Sequence, residues 1–200
     1  MREILTDVFT WPWFSQPHGY NFNGHFIRHA DGNLCIDPVE PSDEVLEEIA
    51  GAGVARILLT NRNHSRAANK VRARTGARTA IHPADAGHAR KEGAELDAEL
   101  KPGDKVGPFF VVGVPGKSSG EIALHWPERK ILLVGDAIVG DPPGRCKLLP
   151  DKVVDDPARL RESVRGLLAL EFETLLVGDG EPILQSAKQR LRELVETFPN

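Results

Sequence analysis

Residues 56–66 read Arg-Ile-Leu-Leu-Thr-Asn-Arg-Asn-His-Ser-Arg, a short apolar run that passes directly into a polar segment. An apolar run of this length next to polar residues predicts a buried β-strand. Two further apolar runs end in a Gly-Asp turn, at 131–136 and at 174–179. Another strand-like run ends in Val114-Pro-Gly-Lys-Ser-Ser-Gly120. Polar side chains held at strand ends by a rigid sheet are a common place for a functional site.

The flanking patterns predict an α/β fold. A hairpin is expected over 22–36, because the alternating segment 22–29 is followed by the turn residues Ala30-Asp-Gly-Asn33 and a second strand. Ser42 predicts the start of a helix that ends near Gly51 and Gly53. Two more helices are expected, at about 156–170 and 182–198. Paired strands followed by alternating strands and helices favour sheets covered by helices on their outer faces.

The composition is that of an ordinary globular protein. The 200 residues are 40% hydrophobic and carry a net charge of −4, which predicts one domain over 1–200 and makes nucleic acid an improbable partner. The composition excludes disorder, collagen and disulfide-stabilised scaffolds.

Nothing in the sequence predicts secretion or membrane insertion. Cys35 and Cys146 are far apart and lack metal-type spacing, so two buried reduced thiols are expected. The first ten residues are charged at 2, 3 and 7 and form no apolar leader. A cytoplasmic protein without a membrane segment is the expectation.

Taken in order, the strand-end motifs resemble those of the metallo-β-lactamase superfamily, and the resemblance covers nearly the whole chain. Residues 60–66 align with the family's T-H-x-H-x-D-H, 115–120 with P-G-H-S-x-G, 135–137 with its aspartate turn and 178–180 with G-H-G. The segment Ile36-Asp-Pro38 is similar to the family's opening hairpin. The resemblance implies a four-layer αβ/βα sandwich with the site at one sheet edge.

The same alignment shows that six of the family's seven metal-ligand positions are changed. The residues at the seven positions are Asn61, Asn63, Ser65, Arg66, Lys117, Asp136 and Asp179, of which only Asp136 matches the family. Zinc prefers imidazole and thiolate donors, whereas Lys117 and Arg66 would bring positive charge to a cation site. We therefore expect no metal cofactor and an ion pair between Lys117 and Asp136 or Asp179.

The function that follows from these substitutions is a pseudoenzyme, a scaffold that binds a small molecule or a protein. The alternative is a hydrolase of the family type that uses no metal or a hard ion such as Mg²⁺ or Mn²⁺, held by Asp136, Asp179 and the asparagines. His64 is the fallback third ligand, although its position in the motif is variable and a surface histidine at a helix start is expected. A third possibility, Lys117 as a base or nucleophile, is disfavoured because nearby acids would keep its ammonium charged.

Two further features have open interpretations. The basic stripe of Arg62, Arg66, Lys70 and Arg74 is expected to pair with acids such as those at 92–99, or else to bind an anion. The aromatic cluster at positions 9–22 is either a packed cover or an apolar ligand wall or dimer contact. If a ligand binds, Trp11, Trp13 and Lys117 are the predicted contacts, with Asn61 and Asn63 as polar donors.

Overall fold

The computed structural model describes residues 1–199, and the chain divides into two compact units, Met1–Leu100 and Lys101–Asn200. Each unit has one β-sheet, its own helices and its own apolar core. The expectation of a single domain over 1–200 stays a prediction. Among the described residues, no helix is both long enough and apolar enough to span a bilayer.

The first unit contains a seven-stranded sheet whose strands follow one another in chain order. Its strands are β1 (Arg2–Leu5), β2 (Val8–Ser15), β3 (Tyr20–Ile27), β4 (Leu34–Ile36), β5 (Arg56–Leu59), β6 (Arg78–Ile81) and β7 (Ala98–Glu99). The first four strands pair antiparallel and the rest pair parallel. The crossovers between the parallel strands are the helices α1 (Asp43–Ala52), α2 (Ala68–Thr75) and α3 (Pro83–Lys91).

Local sequence explains most of these boundaries. The Ser42 side chain accepts a hydrogen bond from the Val45 N–H and caps α1, and Gly53 ends that helix. The hairpin predicted over 22–36 forms as β3 and β4, with Ile27 opposite Leu34. Gly24 lies opposite Trp11, and a Cβ at this position would fall 2.3 Å from the indole ring. The indole of Trp11 therefore packs on bare backbone.

The second unit contains a five-stranded sheet in the order β12-β11-β10-β9-β8. Its strands are β8 (Lys105–Val106), β9 (Phe109–Gly113), β10 (Ile122–Trp126), β11 (Ile131–Val134) and β12 (Thr174–Val177). β11 and β12 pair parallel and are fully buried, as expected for apolar strands covered on both faces. The helices of this unit are α4 (Pro157–Gly166) and α5 (Ala187–Val195).

The helix expected over 182–198 is shorter than predicted. Ile183 exchanges both backbone hydrogen bonds with Leu175 of β12, so this segment continues the sheet and α5 begins only at Ala187. The helix expected over 156–170 ends at Gly166 and continues as a 3-10 turn over Leu167–Ala169. The helical spacing of apolar residues over 182–198 does not show that Ile183 pairs with β12 instead of joining the helix.

Backbone segments in the second unit approach so closely that only glycine fits. The Gly140 N–H donates to the Asp179 carbonyl at 2.9 Å, and the Gly140 carbonyl accepts from the Glu181 N–H at 2.7 Å. A Cβ on Gly140 would lie 2.2 Å from the Glu181 oxygen, and one on Gly180 would lie 2.4 Å from the Gly140 oxygen. These contacts fix the turn that carries Asp179 against the segment that follows Asp136.

We expect Gly140→Ala to destabilise the protein by roughly 2 kcal/mol or more, because the new methyl group meets backbone that cannot rotate away. Gly166→Ala is the matched control, since no atom lies within 4 Å of the added Cβ and alanine favours a helix. Urea denaturation would compare the two variants with the wild type. Equal midpoints for all three would contradict this account of the turn.

Candidate functional site

In the first unit, the strand ends carry a buried polar network around Asp37, directly after β4. The Asp37 carboxylate accepts from the Thr60 N–H at 2.8 Å, from the Thr60 hydroxyl at 2.6 Å and from His64 Nδ1 at 2.8 Å. All three side chains have zero exposure. Because a carboxylate only accepts, Nδ1 carries the proton toward Asp37 and the ring is held in one orientation.

The expectation of a surface histidine at position 64 is wrong. The pattern Asn-Arg-Asn-His-Ser-Arg is polar throughout and hides the fact that His64 turns inward to a carboxylate 27 residues earlier. Asp37 itself was not singled out as a candidate. Its signal in the sequence is weak, an aspartate before proline at a strand end, and the structure adds a left-handed backbone with φ 47°, which is uncommon for a residue other than glycine.

The other motif residues of the first unit differ in their exposure and in their contacts. Asn61 is buried, and its Oδ1 accepts from the Asn63 N–H at 2.8 Å, an arrangement that stabilises the turn. Asn63 is exposed and Ser65 is half-buried. The half-buried Arg66 lies with its guanidinium carbon 4.2 Å from the centre of the Phe22 ring, a cation–π contact.

In the second unit, Lys117 forms the predicted ion pair with Asp136. Lys117 Nζ lies 3.2 Å from Asp136 Oδ2, and the two side chains are only 11% and 8% exposed. A buried charge is costly unless it is compensated, and here the two opposite charges lie side by side. The prediction that Lys117 lies within salt-bridge distance of one of the two aspartates is confirmed.

The loop that carries Lys117 is held by backbone contacts with the start of α4. The Gly116 carbonyl accepts from the Asp156 N–H at 2.8 Å. Gly116 has φ 145°, and a Cβ there would lie 2.4 Å from the backbone of Leu160. The Pro-Gly-Lys sequence therefore uses glycine for close approach, and the lysine side chain is positioned by a rigid turn.

Asp179 contributes a second buried carboxylate to the same unit. It is 4% exposed, and one of its oxygens lies within 4.8 Å of an oxygen of Asp136. Two carboxylates at this separation repel each other, and Lys117 supplies a fixed positive charge beside one of them. The structure thus gathers Lys117, Asp136 and Asp179 in one cluster, as the turns of the sequence suggest.

The residues at the family's ligand positions lack the nitrogen and sulfur donors that zinc prefers. None of them is a histidine or a cysteine, the donors that zinc prefers. The one carboxylate that matches the family pattern, Asp136, already binds an ammonium group. The positive charge that balances the Asp136 carboxylate therefore comes from Lys117, a side chain of this protein.

Two members of the basic stripe, Lys70 and Arg74, pair with acids of their own unit. Arg74 Nε donates to Glu47 at 2.9 Å, and this hydrogen bond lowers the pKa of the Glu47 carboxyl. Other pairs near the stripe are Lys70 with Glu40, and Arg72 with Glu95 and Asp97. Glu95 and Asp97 of the run at 92–99 pair with Arg72, which lies beside the stripe, whereas Glu40 and Glu47 pair with two of its members.

The aromatic cluster is the hairpin of β2 and β3. Trp11 is 3% exposed, and its Nε1 donates to the Val39 carbonyl at 3.0 Å. Trp13 is 44% exposed and stacks on Phe22, with ring centres 5.8 Å apart. The segment therefore has a packed part and an open part, and the predicted ligand contact at Trp13 lies in the open part.

Neither cysteine belongs to these clusters. Both thiols are free; Cys35 is buried and Cys146 is half-buried. Burial raises the pKa of the Cys35 thiol, and burial raises that of Cys146 to about 12. Both are therefore protonated and poorly nucleophilic at neutral pH.

A family model described as the metallo-β-lactamase superfamily matches residues 3–198. Hydroxyacylglutathione hydrolase of Fuscovulum blasticum is 30% identical to this chain, with 86% of this chain and 74% of that protein covered. The enzyme of the same name from Cereibacter sphaeroides is 33% identical, with 83% of this chain and 65% of that protein covered. This chain thus spans less than two thirds of the second relative's length.

Among solved structures, a metallo-β-lactamase from Pontibacter korlensis matches with a TM-score of 0.77 at 16% identity, and 98% of each chain is covered. At this identity the match concerns the fold alone. It agrees with the two helix-flanked sheets described above and confirms the predicted fold class.

We expect Asp37→Ala to lower the free energy of unfolding by roughly 3 kcal/mol, because a buried hydroxyl, a backbone N–H and His64 lose their acceptor together. Asp31→Ala is the control in the same unit, since the Asp31 side chain is 77% exposed and surface pairs contribute little. Urea denaturation measures both variants. A loss for Asp37→Ala no larger than that of the control would show that the network does not stabilise the fold.

Proposed function

We propose, from the premise that the chain belongs to the metallo-β-lactamase superfamily, that it is a pseudoenzyme that binds a small molecule or a protein partner without a zinc centre. The single observation that carries this proposal is the buried contact of 3.2 Å between Lys117 and Asp136. At these two positions the family pattern has metal ligands, and here an ammonium group occupies the place of a counter-ion.

The positive charge of Lys117 next to Asp136 argues against a bound zinc ion. A divalent cation next to Asp136 would have to displace Lys117 or accept it as a neighbour, and like charges in a site shielded from water repel strongly. The asparagines cannot offset this cost, because amide oxygens are weak zinc ligands. Lys117 can neutralise Asp136 in place of a metal ion, so that the loops keep the arrangement of the family without one.

The test is elemental analysis of the full chain, purified after growth with added zinc, together with an assay of thioester hydrolysis on a hydroxyacylglutathione, the substrate class named by the relatives. We expect substoichiometric zinc and no hydrolysis above the uncatalysed rate. One equivalent of zinc that survives dialysis, with hydrolysis that a chelator abolishes, would overturn the proposal.

A second candidate is a hydrolase that uses a hard cation. The observation in its favour is the approach of the Asp136 and Asp179 carboxylate oxygens to within 4.8 Å, both buried. Carboxylate oxygens are the ligands that Mg²⁺ and Mn²⁺ prefer. Titration calorimetry with each ion separates the candidates: saturable binding of Mn²⁺ that Asp179→Asn abolishes, with Mn²⁺-dependent hydrolysis, favours the second one.

Substitution of the lysine tests the ion pair directly. We expect Lys117→Met to destabilise the protein by roughly 2–4 kcal/mol, because it leaves the Asp136 carboxylate buried without its cation. Lys147→Met is the matched control, since Lys147 pairs with Asp141 at a site where both side chains are more than one third exposed and such pairs contribute little.

Urea denaturation at neutral pH measures both lysine variants. A loss below about 0.5 kcal/mol for Lys117→Met would mean that solvent screens the pair. If the second candidate is correct, removal of the ammonium group strengthens Mn²⁺ binding and raises the Mn²⁺-dependent hydrolysis. If the pseudoenzyme proposal is correct, neither the wild type nor Lys117→Met shows Mn²⁺-dependent hydrolysis.

A further inference from the structure

We propose that a phosphate group binds at Arg56 and Arg78, at the end of the seven-stranded sheet where β5 and β6 begin. Arg56 is the first residue of β5, and Arg78 is the first residue of β6. The ligand class is a phosphate dianion, either inorganic phosphate or the phosphate group of a monoester. The inference concerns residues of the first unit alone and does not depend on whether the proposed function is correct.

The parallel register of the sheet places the two arginines next to each other. Arg56 lies directly opposite Arg78 in the pairing of β5 with β6. Neighbouring strands are about 4.8 Å apart, and residues opposite each other project from the same face of a sheet. Both arginines are exposed, whereas the three residues that follow each of them along its strand are buried. Both guanidinium groups are therefore accessible from solvent at the end of the sheet.

The chain does not place a carboxylate against this pair. In the part of the chain that the structure describes, no carboxylate lies within salt-bridge distance of either guanidinium. Arg78 Nη2 donates to a neutral acceptor, the Asp97 carbonyl, at 3.2 Å. On the other side of Arg56, the opposite residue of β4 is the buried Leu34. The row of opposite side chains at 34, 56 and 78 therefore carries two positive charges and no negative one.

The Asp97 carboxylate, which lies beside this end of the sheet, is bound to other groups. Its Oδ2 accepts from the Thr79 N–H at 2.8 Å and pairs with Arg72. The Thr79 N–H is the largest cause of the lowered pKa of the Asp97 carboxyl, Arg72 contributes next, and Arg78 contributes least. Asp97 is thus the counter-ion of Arg72, and the charge of Arg78 is available to a ligand.

Charge balance favours a dianion at this place. Two like charges directly opposite each other on adjacent strands repel and destabilise the sheet. A phosphate dianion bound to Arg56 and Arg78 removes this repulsion, and the planar N–H fork of a guanidinium matches two phosphate oxygens. A monoanion neutralises only one of the two charges, so the pair selects a phosphate dianion over a carboxylate or a phosphodiester.

Phosphorus NMR titrations of the full chain test the ligand class with inorganic phosphate, methyl phosphate and dimethyl phosphate. At about pH 8 the first two compounds are mainly dianions, and the diester is a monoanion. We expect both dianions to bind with a Kd of roughly 10 mM or lower, about fivefold or more tightly than the diester. Equal binding of all three compounds, or no saturable binding of the dianions, would overturn the proposal.

The same titrations identify the source of the phosphate group. Tighter binding of methyl phosphate than of inorganic phosphate supports a phosphorylated molecule as the ligand, and the reverse order supports free phosphate. Tighter binding of dimethyl phosphate than of either dianion indicates a phosphodiester ligand and refutes the dianion.

Variants of the two arginines locate the site. Arg56→Gln and Arg78→Gln each remove one of the two charges, and we expect each to weaken phosphate binding about fivefold or more. Arg56→Lys keeps the charge and should retain more of the affinity than Arg56→Gln. Arg90→Gln is the matched control, since Arg90 is an exposed arginine on α3 of the same unit. Unchanged affinity in Arg56→Gln, or an equal loss in Arg90→Gln, would contradict the assignment.

Urea denaturation distinguishes a binding site from a structural role of the arginines. In chloride buffer of low ionic strength, the midpoint of Arg56→Gln should equal or exceed that of the wild type, because a repulsion is removed. Added phosphate should then raise the midpoint of the wild type more than that of Arg56→Gln, a difference from which the general stabilisation by phosphate cancels. A lower midpoint of Arg56→Gln in chloride alone would mean that Arg56 stabilises the fold, and the proposal would be wrong.

Discussion

The pairing of a buried ammonium group with a buried carboxylate, Lys117 with Asp136, constrains the functional interpretation of the whole chain. Neither group is stable alone in a site that is about nine-tenths shielded from water. The loops that carry them must hold both side chains at a fixed separation. They do so with glycines at which a Cβ would collide with backbone, Gly116 against α4 and Gly140 against the turn after Asp179.

The first unit has an analogous constraint of a different chemical kind. The Asp37 carboxylate collects three hydrogen bonds from Thr60 and His64, all buried, and joins the end of β4 to the loop after β5. A histidine oriented by a carboxylate has one tautomer and one ring position. The strand-end loops of both units therefore hold buried polar side chains in fixed positions.

In the second unit the cation beside Asp136 is a side chain of the protein itself, Lys117. Arg66 stands at the place of a histidine ligand and instead stacks on Phe22 and lines an aromatic cavity. Lysine and arginine thus stand at two positions where the family pattern has histidines, and both contact other side chains of this protein.

The sequence by itself determined the buried strands, the Ser42 helix cap, the family motifs and the loss of zinc donors, because these depend on local patterns and on side-chain chemistry. It also indicated the Lys117–Asp136 pair, since opposite charges at aligned motif positions have to compensate each other. Only the tertiary structure decided that His64 is buried against Asp37, that Ile183 joins the sheet and delays α5, and that Trp11 is packed while Trp13 remains open. Each of these depends on a partner distant along the chain or on which face of a strand meets the core, and a local pattern does not contain that information.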